Sequence, residues 1–397
     1  MGVVITGIGL RSALGDAHQT QQHLFQGRSG VQLYQPFPEL PPLPLALIGA
    51  HPQTLPALVP PLVQATLTDA SLAPPLPNWG VVVGSSRGCQ GNWEQMGRGE
   101  QLLNPWFSHL PATAATLTAQ ILQTPGPVSA PMAACGTGLW AIAQGYHWIQ
   151  QGQCPQVIAG AVEAPITPLT LAGFARMGAL AKTGCYPFDR QREGLVLGEG
   201  GALFCLESHR AAQARNALIY GEILGVGLTC DAYHVSAPDP SGQGARAAIL
   251  QSLERAHLNP RDIDYIHAHG TGTQRNDHQE AQVLTDLFPH RPPVSSTKGG
   301  TGHTLGASGA LGIAVCLWAL RSQTLPPSIG LQLLAFPELN MVRRAKRARI
   351  HHTLCLSFGF GGQNLAIILR LHRPDPPQDQ PLTSDTVSLS SDPLGLG

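Results

Sequence analysis

Tyr265-Ile266-His267-Ala268-His269-Gly270-Thr271-Gly272-Thr273 carries the pattern from which the fold is read. An apolar run closes on a histidine and a glycine-threonine turn, so His269 stands at the mouth of a buried strand, where α/β sheets bind ligands. Working outward, short apolar runs bounded by glycine recur at 3–8, 80–84, 157–161, 201–206, 263–267, 354–357 and 365–369. Runs that are apolar throughout predict strands covered on both faces. Alanine-rich stretches of helical length, at 140–150, 244–256 and 309–319, alternate with them, and that alternation predicts an α/β fold.

A break near 215–220 divides the chain, and each part holds the progression from strand through reactive turn to helix. The expected organisation is a first half, 1–216, carrying Cys135, and a second half, 217–370, carrying His269, Lys298 and His303. The Pro/Ser/Asp-rich stretch 371–397 is read as a disordered tail. Proline-rich stretches at 36–44 and 52–61 are read as irregular surface segments.

The 397 residues are 43% hydrophobic, enough for one large core or two ordinary ones. Acidic and basic residues balance at 24 each, so no global positive field points to nucleic acid. The eight cysteines have no C-x-x-C pair and no disulfide-like or zinc-like spacing, which suits a reducing cytoplasm and no metal. Met1-Gly2-Val3-Val4-Ile5-Thr6 fits the myristoylation pattern, but the same residues open a buried first strand. The uncharged stretch 304–320 is studded with small residues and is read as a core helix, not a membrane span.

Two further turns share the chemistry of the first. Cys135 lies in Ala134-Cys135-Gly136-Thr137-Gly138, directly before a helix, where unpaired N–H groups favour thiolate character. The glycines there leave room for a thioester to approach and for N–H groups to face its carbonyl oxygen. His303 lies in Lys298-Gly299-Gly300-Thr301-Gly302-His303, and Lys298 is one of only three lysines in the chain. A buried lysine needs a partner, which Asp277 or Glu280 could supply. His267 is read as structural. Phe358-Gly359-Phe360-Gly361-Gly362 lies between two apolar runs, and its glycine-flanked Phe360 could gate a pocket and offer an N–H to an oxyanion.

Together these segments resemble the elongating β-ketoacyl-acyl carrier protein synthases of the thiolase-fold superfamily, from Val3-Val4-Ile5-Thr6-Gly7 to Gly359-Phe360-Gly361-Gly362. Pro187-Phe188-Asp189-Arg190 and Asp231-Ala232-Tyr233-His234 fit the same family. The resemblance implies a layered αβαβα core built from two pseudo-duplicated halves. It implies Cys135 as the acyl-accepting nucleophile in a Cys-His-His triad with His269 and His303, and Lys298 and Glu280 as a supporting charged pair. Thr271, Thr273, Phe358 and Asp277 would bind substrate, and Phe360 would be the gate, sharing the oxyanion hole with the N–H of Cys135. The substrates would ride on the phosphopantetheine arm of acyl carrier protein, with no further cofactor. A homodimer is expected, with a heterodimer as the variant. Departures at Gly136, Gly272-Thr273 and Gly299-Gly300, and the unusual acyl-pocket stretch Ser85-Ser86-Arg87-Gly88-Cys89-Gln90, leave the acyl group open.

Two other classes compete. A chain-length-determining partner subunit would typically lack the nucleophile that this chain keeps. A degradative thiolase would want a second catalytic cysteine, where this chain has Gly359-Phe360-Gly361-Gly362 near Cys355. Arg343, Arg344, Lys346, Arg347 and Arg349 form a basic cluster that could dock an acidic carrier protein or simply be a solvated face.

Overall fold

The computed structural model describes residues 2–100 and 106–372. Of the expected tail, 373–397 lies outside the described residues. The first half contributes β1 (Val3–Ser12), β2 (Trp79–Gly84), β3 (Val128–Ser129), β4 (Gln156–Glu163) and β5 (Gly200–Ser208). Across the sheet they run β1-β5-β4-β2-β3, with the first two contacts antiparallel and the last two parallel. The second half contributes β6 (Gly221–Cys230), β7 (Tyr265–His267), β8 (Pro293–Ser295), β9 (His352–Gly359) and β10 (Gln363–Arg370). Their order, β6-β10-β9-β7-β8, and their pairing senses repeat those of the first half. Val3–Ile5 of β1 pairs antiparallel with Gly221–Ile223 of β6 and joins the two sheets.

The helices that form the layers are α1 (Leu55–Asp69), α2 (Thr113–Leu122), α3 (Thr137–Gln150), α4 (Gln243–Ala256), α5 (Gln274–Leu287) and α6 (Ser308–Ser322). Leu62 of α1 and Ala115 of α2 pack with Val81 and Leu203 on one outer face. Ile249 of α4 and Leu284 of α5 pack with Ile266 and Leu354 on the other. Between the sheets, Leu139 and Ile142 of α3 and Leu317 of α6 share one core with Phe204 and Ile367. The layers are therefore αβαβα. Helix α6 is apolar on every side because it is covered on every side; the stretch Leu305–Ser322 is long and apolar enough to cross a membrane, yet 89% of it is buried inside the protein.

Two local expectations are corrected. The proline-rich stretch 52–61 does not stay irregular, because α1 runs through Pro60 and Pro61. Leu55, Leu58, Val59, Leu62, Val63 and Leu67 make one buried helical face, and that burial outweighs the backbone bonds the prolines remove. Strand β6 is absent from the runs read above because glycines interrupt it. A Cβ at Gly227 would lie 1.8 Å from the carbonyl oxygen of Ala248, so these glycines let α4 sit directly on the strand.

Candidate active site

The reactive turns all leave the carboxyl ends of strands, and the repeat places them in equivalent positions. The turn after β3 leads through Cys135 to α3; the turn after β8 leads through Lys298 and His303 to α6. The starts of these two central helices touch. A Cβ at Gly138 would lie 2.8 Å from the backbone nitrogen of Ala310, and one at Gly309 would lie 2.7 Å from Leu139. Small residues at both helix starts thus allow a contact that brings the two turns together. His269 arrives from the end of β7, and Gly359 from the end of β9.

The result is a cavity of about 370 Å³ lined by Cys135, His269, His303, Thr271, Thr273, Phe358 and Phe360, together with Asp231 and Asn364. The His269 and His303 rings are 5.4 Å apart and nearly perpendicular, and the Phe358 ring lies 5.7 Å from His269. Cys135 is 7% exposed, His269 3% and His303 1%. The Phe360 backbone N–H lies near enough to the Cys135 thiol to favour its ionised form. Ala134, just before the nucleophile, has a left-handed φ of 47°, and Ser357 Oγ donates to the Cys135 carbonyl at 2.9 Å. A non-glycine residue held left-handed is strained by about 1 kcal/mol, so the surrounding contacts must hold this turn.

Burial decides the protonation states. It pushes the Cys135 thiol up to about 11, against the opposing pull of Lys298 and of the Phe360 N–H. The resting nucleophile is therefore a neutral thiol, and the thiolate character expected from the helix start is corrected: desolvation outweighs it. Both imidazoles are held well below their ordinary range, His269 by burial, Lys298 and His303, and His303 by burial and Lys298. Each is neutral near pH 7, with one ring nitrogen protonated and the other a free base.

Lys298, Glu280 and Asp277 stand behind the cavity wall. Lys298 and Glu280 do not form the direct ion pair expected of them. Glu280 accepts the N–H groups of His269 at 2.6 Å and Gly270 at 2.7 Å, while the Lys298 ammonium donates to the His269 carbonyl. They grip opposite sides of the His269 backbone, because its unpaired peptide groups need the buried charges more than the charges need each other. Asp277, expected at the substrate, is fully buried and is not among the residues that line the cavity. Its carboxylate accepts from the N–H groups of Phe188 (2.7 Å), Thr271 (3.1 Å) and Gly272 (3.2 Å), so it shapes the turn that presents Thr271 and Thr273. His267 is structural, with Nε2 3.1 Å from Thr297 Oγ1 and burial lowering it to about 3. Among the described residues no group of three or more metal-ligating side chains exists.

The sequence reading passes over three residues that the structure brings to the site. Ser308 Oγ is 2.7 Å from His303 Nδ1, five residues on along the chain and across one tight turn. Glu163 ends β4 and gathers five donors: the hydroxyls of Ser85 and Ser86 and the N–H groups of Ser86, Arg87 and Gly306. It ties the acyl-side loop to the His303 turn, and a carboxylate ending a fully apolar run was its visible signal. Asn364 Nδ2 holds both Asp231 (2.7 Å) and the Gly362 carbonyl (3.0 Å), anchoring the loop of Phe360.

The family profile described as β-ketoacyl synthase, N-terminal domain, matches residues 55–212, and the C-terminal domain profile matches 220–332. The chain belongs to the β-ketoacyl synthase family. It is 34% identical to a 3-oxoacyl-[acyl-carrier-protein] synthase 2 of Mycobacterium tuberculosis (strain ATCC 25618 / H37Rv), over 92% of this chain and 96% of that protein. Among solved structures, the ishigamide ketosynthase/chain length factor superposes with a TM-score of 0.86 at 27% identity, covering 94% of this chain and 99% of that one. A type II polyketide synthase acyl-carrier protein in complex with its ketosynthase bound to the hexaketide gives the same score at 26% identity and the same coverage. The enzyme is thus an acyltransferase of the thiolase-like fold.

Proposed function

We propose that this enzyme condenses an acyl group carried on Cys135 with malonyl-acyl carrier protein, giving a 3-oxoacyl-acyl carrier protein and carbon dioxide. The observation that carries the reading is one cavity that gathers Cys135, His269, His303 and Phe360, with burial favouring the neutral forms of the thiol and both imidazoles. In the first half-reaction the thiol attacks the acyl thioester, its proton passes to an imidazole nitrogen, and the pantetheine thiol leaves with that proton. The oxyanion is met by the N–H groups of Cys135 and Phe360.

In the second, the malonyl carboxylate leaves as carbon dioxide and its electron pair remains as an enolate. His269 and His303, neutral and therefore able to donate, stabilise the enolate oxygen. The carbanion attacks the acyl carbonyl, the carbon–carbon bond forms, and the Cys135 sulfur leaves as thiolate, which takes one proton from solvent to restore the thiol. A protonated, charged imidazole is not required at any resting stage. Ser308 can accept from His303 Nδ1–H or donate to a bare Nδ1, so it serves both half-reactions.

The carrier protein as partner is supported by the relatives named above and by Thr271 and Thr273 at the cavity, their hydroxyls 2.9 Å apart. No resident cofactor enters this scheme. Association with a second copy or a related subunit is supported by the sheet edge β3, where Val128 is 44% exposed, and by Met132 in the turn after it, 67% exposed. Eight free cysteines suit a reducing cytoplasm. The chain-length-subunit reading is disfavoured by the complete triad. Intact-mass analysis after incubation with acyl-acyl carrier protein tests the assignment. The wild type gains the acyl mass and Cys135→Ala does not; equal labelling of the variant would overturn the nucleophile.

A further inference from the structure

The apolar side of the nucleophile ends on a cation. Cys135 shares an apolar cluster with Ile166, Leu171, Phe174 and Phe360. From the sulfur outward, Phe360 is followed by Phe174, whose ring centre is 6.0 Å away, and then by the Arg87 guanidinium, 5.6 Å from the centre of Phe174. The charge is close enough to favour the Cys135 thiolate.

The nearby carboxylates are engaged elsewhere. Glu163 is filled by its five donors, and Glu94 accepts from Gln90 Nε2 at 2.8 Å and from the Leu169 N–H at 3.1 Å. None of the ion pairs among the described residues involves Arg87. Gln90 is turned away as well, its amide nitrogen held by Thr167 (3.2 Å) and Thr170 (3.1 Å). Arg87, exposed beside the cavity, thus presents a permanent charge and a planar donor fork resting on the Phe174 face, with no ion-pair partner among the described residues. A methyl group brought there would strip water from the cation and return nothing, whereas a carboxylate would take two parallel hydrogen bonds.

We propose that Arg87 selects acyl groups bearing a carboxylate at the end remote from the thioester, in preference to straight alkyl chains of the same length. This rests on the acyl-enzyme reading, naming the class of acyl group that Cys135 accepts. The test loads Cys135 from two pantetheine thioesters of equal carbon number, one of a monocarboxylic acid and one of the half-thioester of a dicarboxylic acid. Loading rates are read by intact mass in wild type, Arg87→Leu and Arg87→Lys.

The wild type is expected to favour the carboxylate-ended group by about tenfold, the effect of one charge-assisted hydrogen bond. Arg87→Leu abolishes or reverses the ratio, and Arg87→Lys keeps part of it. The ratio is taken within one preparation, so partial unfolding of a variant cancels. A wild type that favours the alkyl group, or a ratio unmoved in Arg87→Leu, overturns the selection while leaving the acyl-enzyme intact. Failure of both thioesters to load Cys135 overturns the underlying reading as well.

Discussion

Cys135 alkylation should rise with pH without a plateau through the neutral range. Burial lifts the thiol from an ordinary 9.0 to about 11, a difference of roughly 3 kcal/mol against ionisation. At pH 7 the thiolate is then roughly one part in ten thousand, and each pH unit multiplies it by about ten until the pH nears 11. Lys298 opposes this lift, so Lys298→Met should move the curve to still higher pH. The same substitution removes a charge that depresses both imidazoles, so His269 and His303 should titrate closer to their ordinary range. The assay is iodoacetamide labelling from pH 6 to 10 with peptide mass mapping, using exposed Cys230 as the internal control. Cys135 should label at a rate about tenfold higher for each unit of pH. A plateau below pH 9 would refute the reasoning: it would mean that the helix start or an imidazolium holds a thiolate despite desolvation.

Ser308→Ala removes the hydroxyl from His303 Nδ1 and should slow malonyl decarboxylation by about tenfold, with KM little changed and the melting temperature nearly kept. An unchanged rate in stopped carbon dioxide release would remove Ser308 from the chemistry. Glu280 is raised by burial to about 7, so the folded state binds its proton more tightly than the unfolded chain does. The stability this contributes is full below about pH 4.5 and is lost as pH rises through 7; Glu280→Gln should flatten that slope in urea titrations across the window. Gly359→Ala would place a Cβ 2.7 Å from the Ala133 carbonyl and 3.2 Å from the Cys135 nitrogen. It should displace the nucleophile turn and cut acyl transfer by at least about tenfold, while far-ultraviolet circular dichroism stays native.

Much of the site was legible because its parts are local. A cysteine before a helix, a histidine closing an apolar run, and a glycine-flanked phenylalanine each announce themselves within a few residues, and the structure brings Cys135, His269, His303 and Phe360 to one cavity. The strand β6 was not legible, because its glycines answer to a helix that lies later in the chain. The Lys298–Glu280 pair was misjudged for a related reason. Residue types predict that two buried charges will meet, but the His269 peptide between them offers both a donor and an acceptor that nothing else satisfies.

By itself the sequence determined the alternation of strands and helices, the identity of the reactive side chains and the family to which they belong, since periodicity and turn chemistry are properties of neighbouring residues. Tertiary structure decided the rest. Only the packing of α3 against α6 places Cys135 beside His303, and only burial makes the thiol neutral and keeps both imidazoles uncharged. Distance and desolvation depend on what the rest of the chain puts around a residue, so the state in which the thiol and imidazoles work follows from the fold.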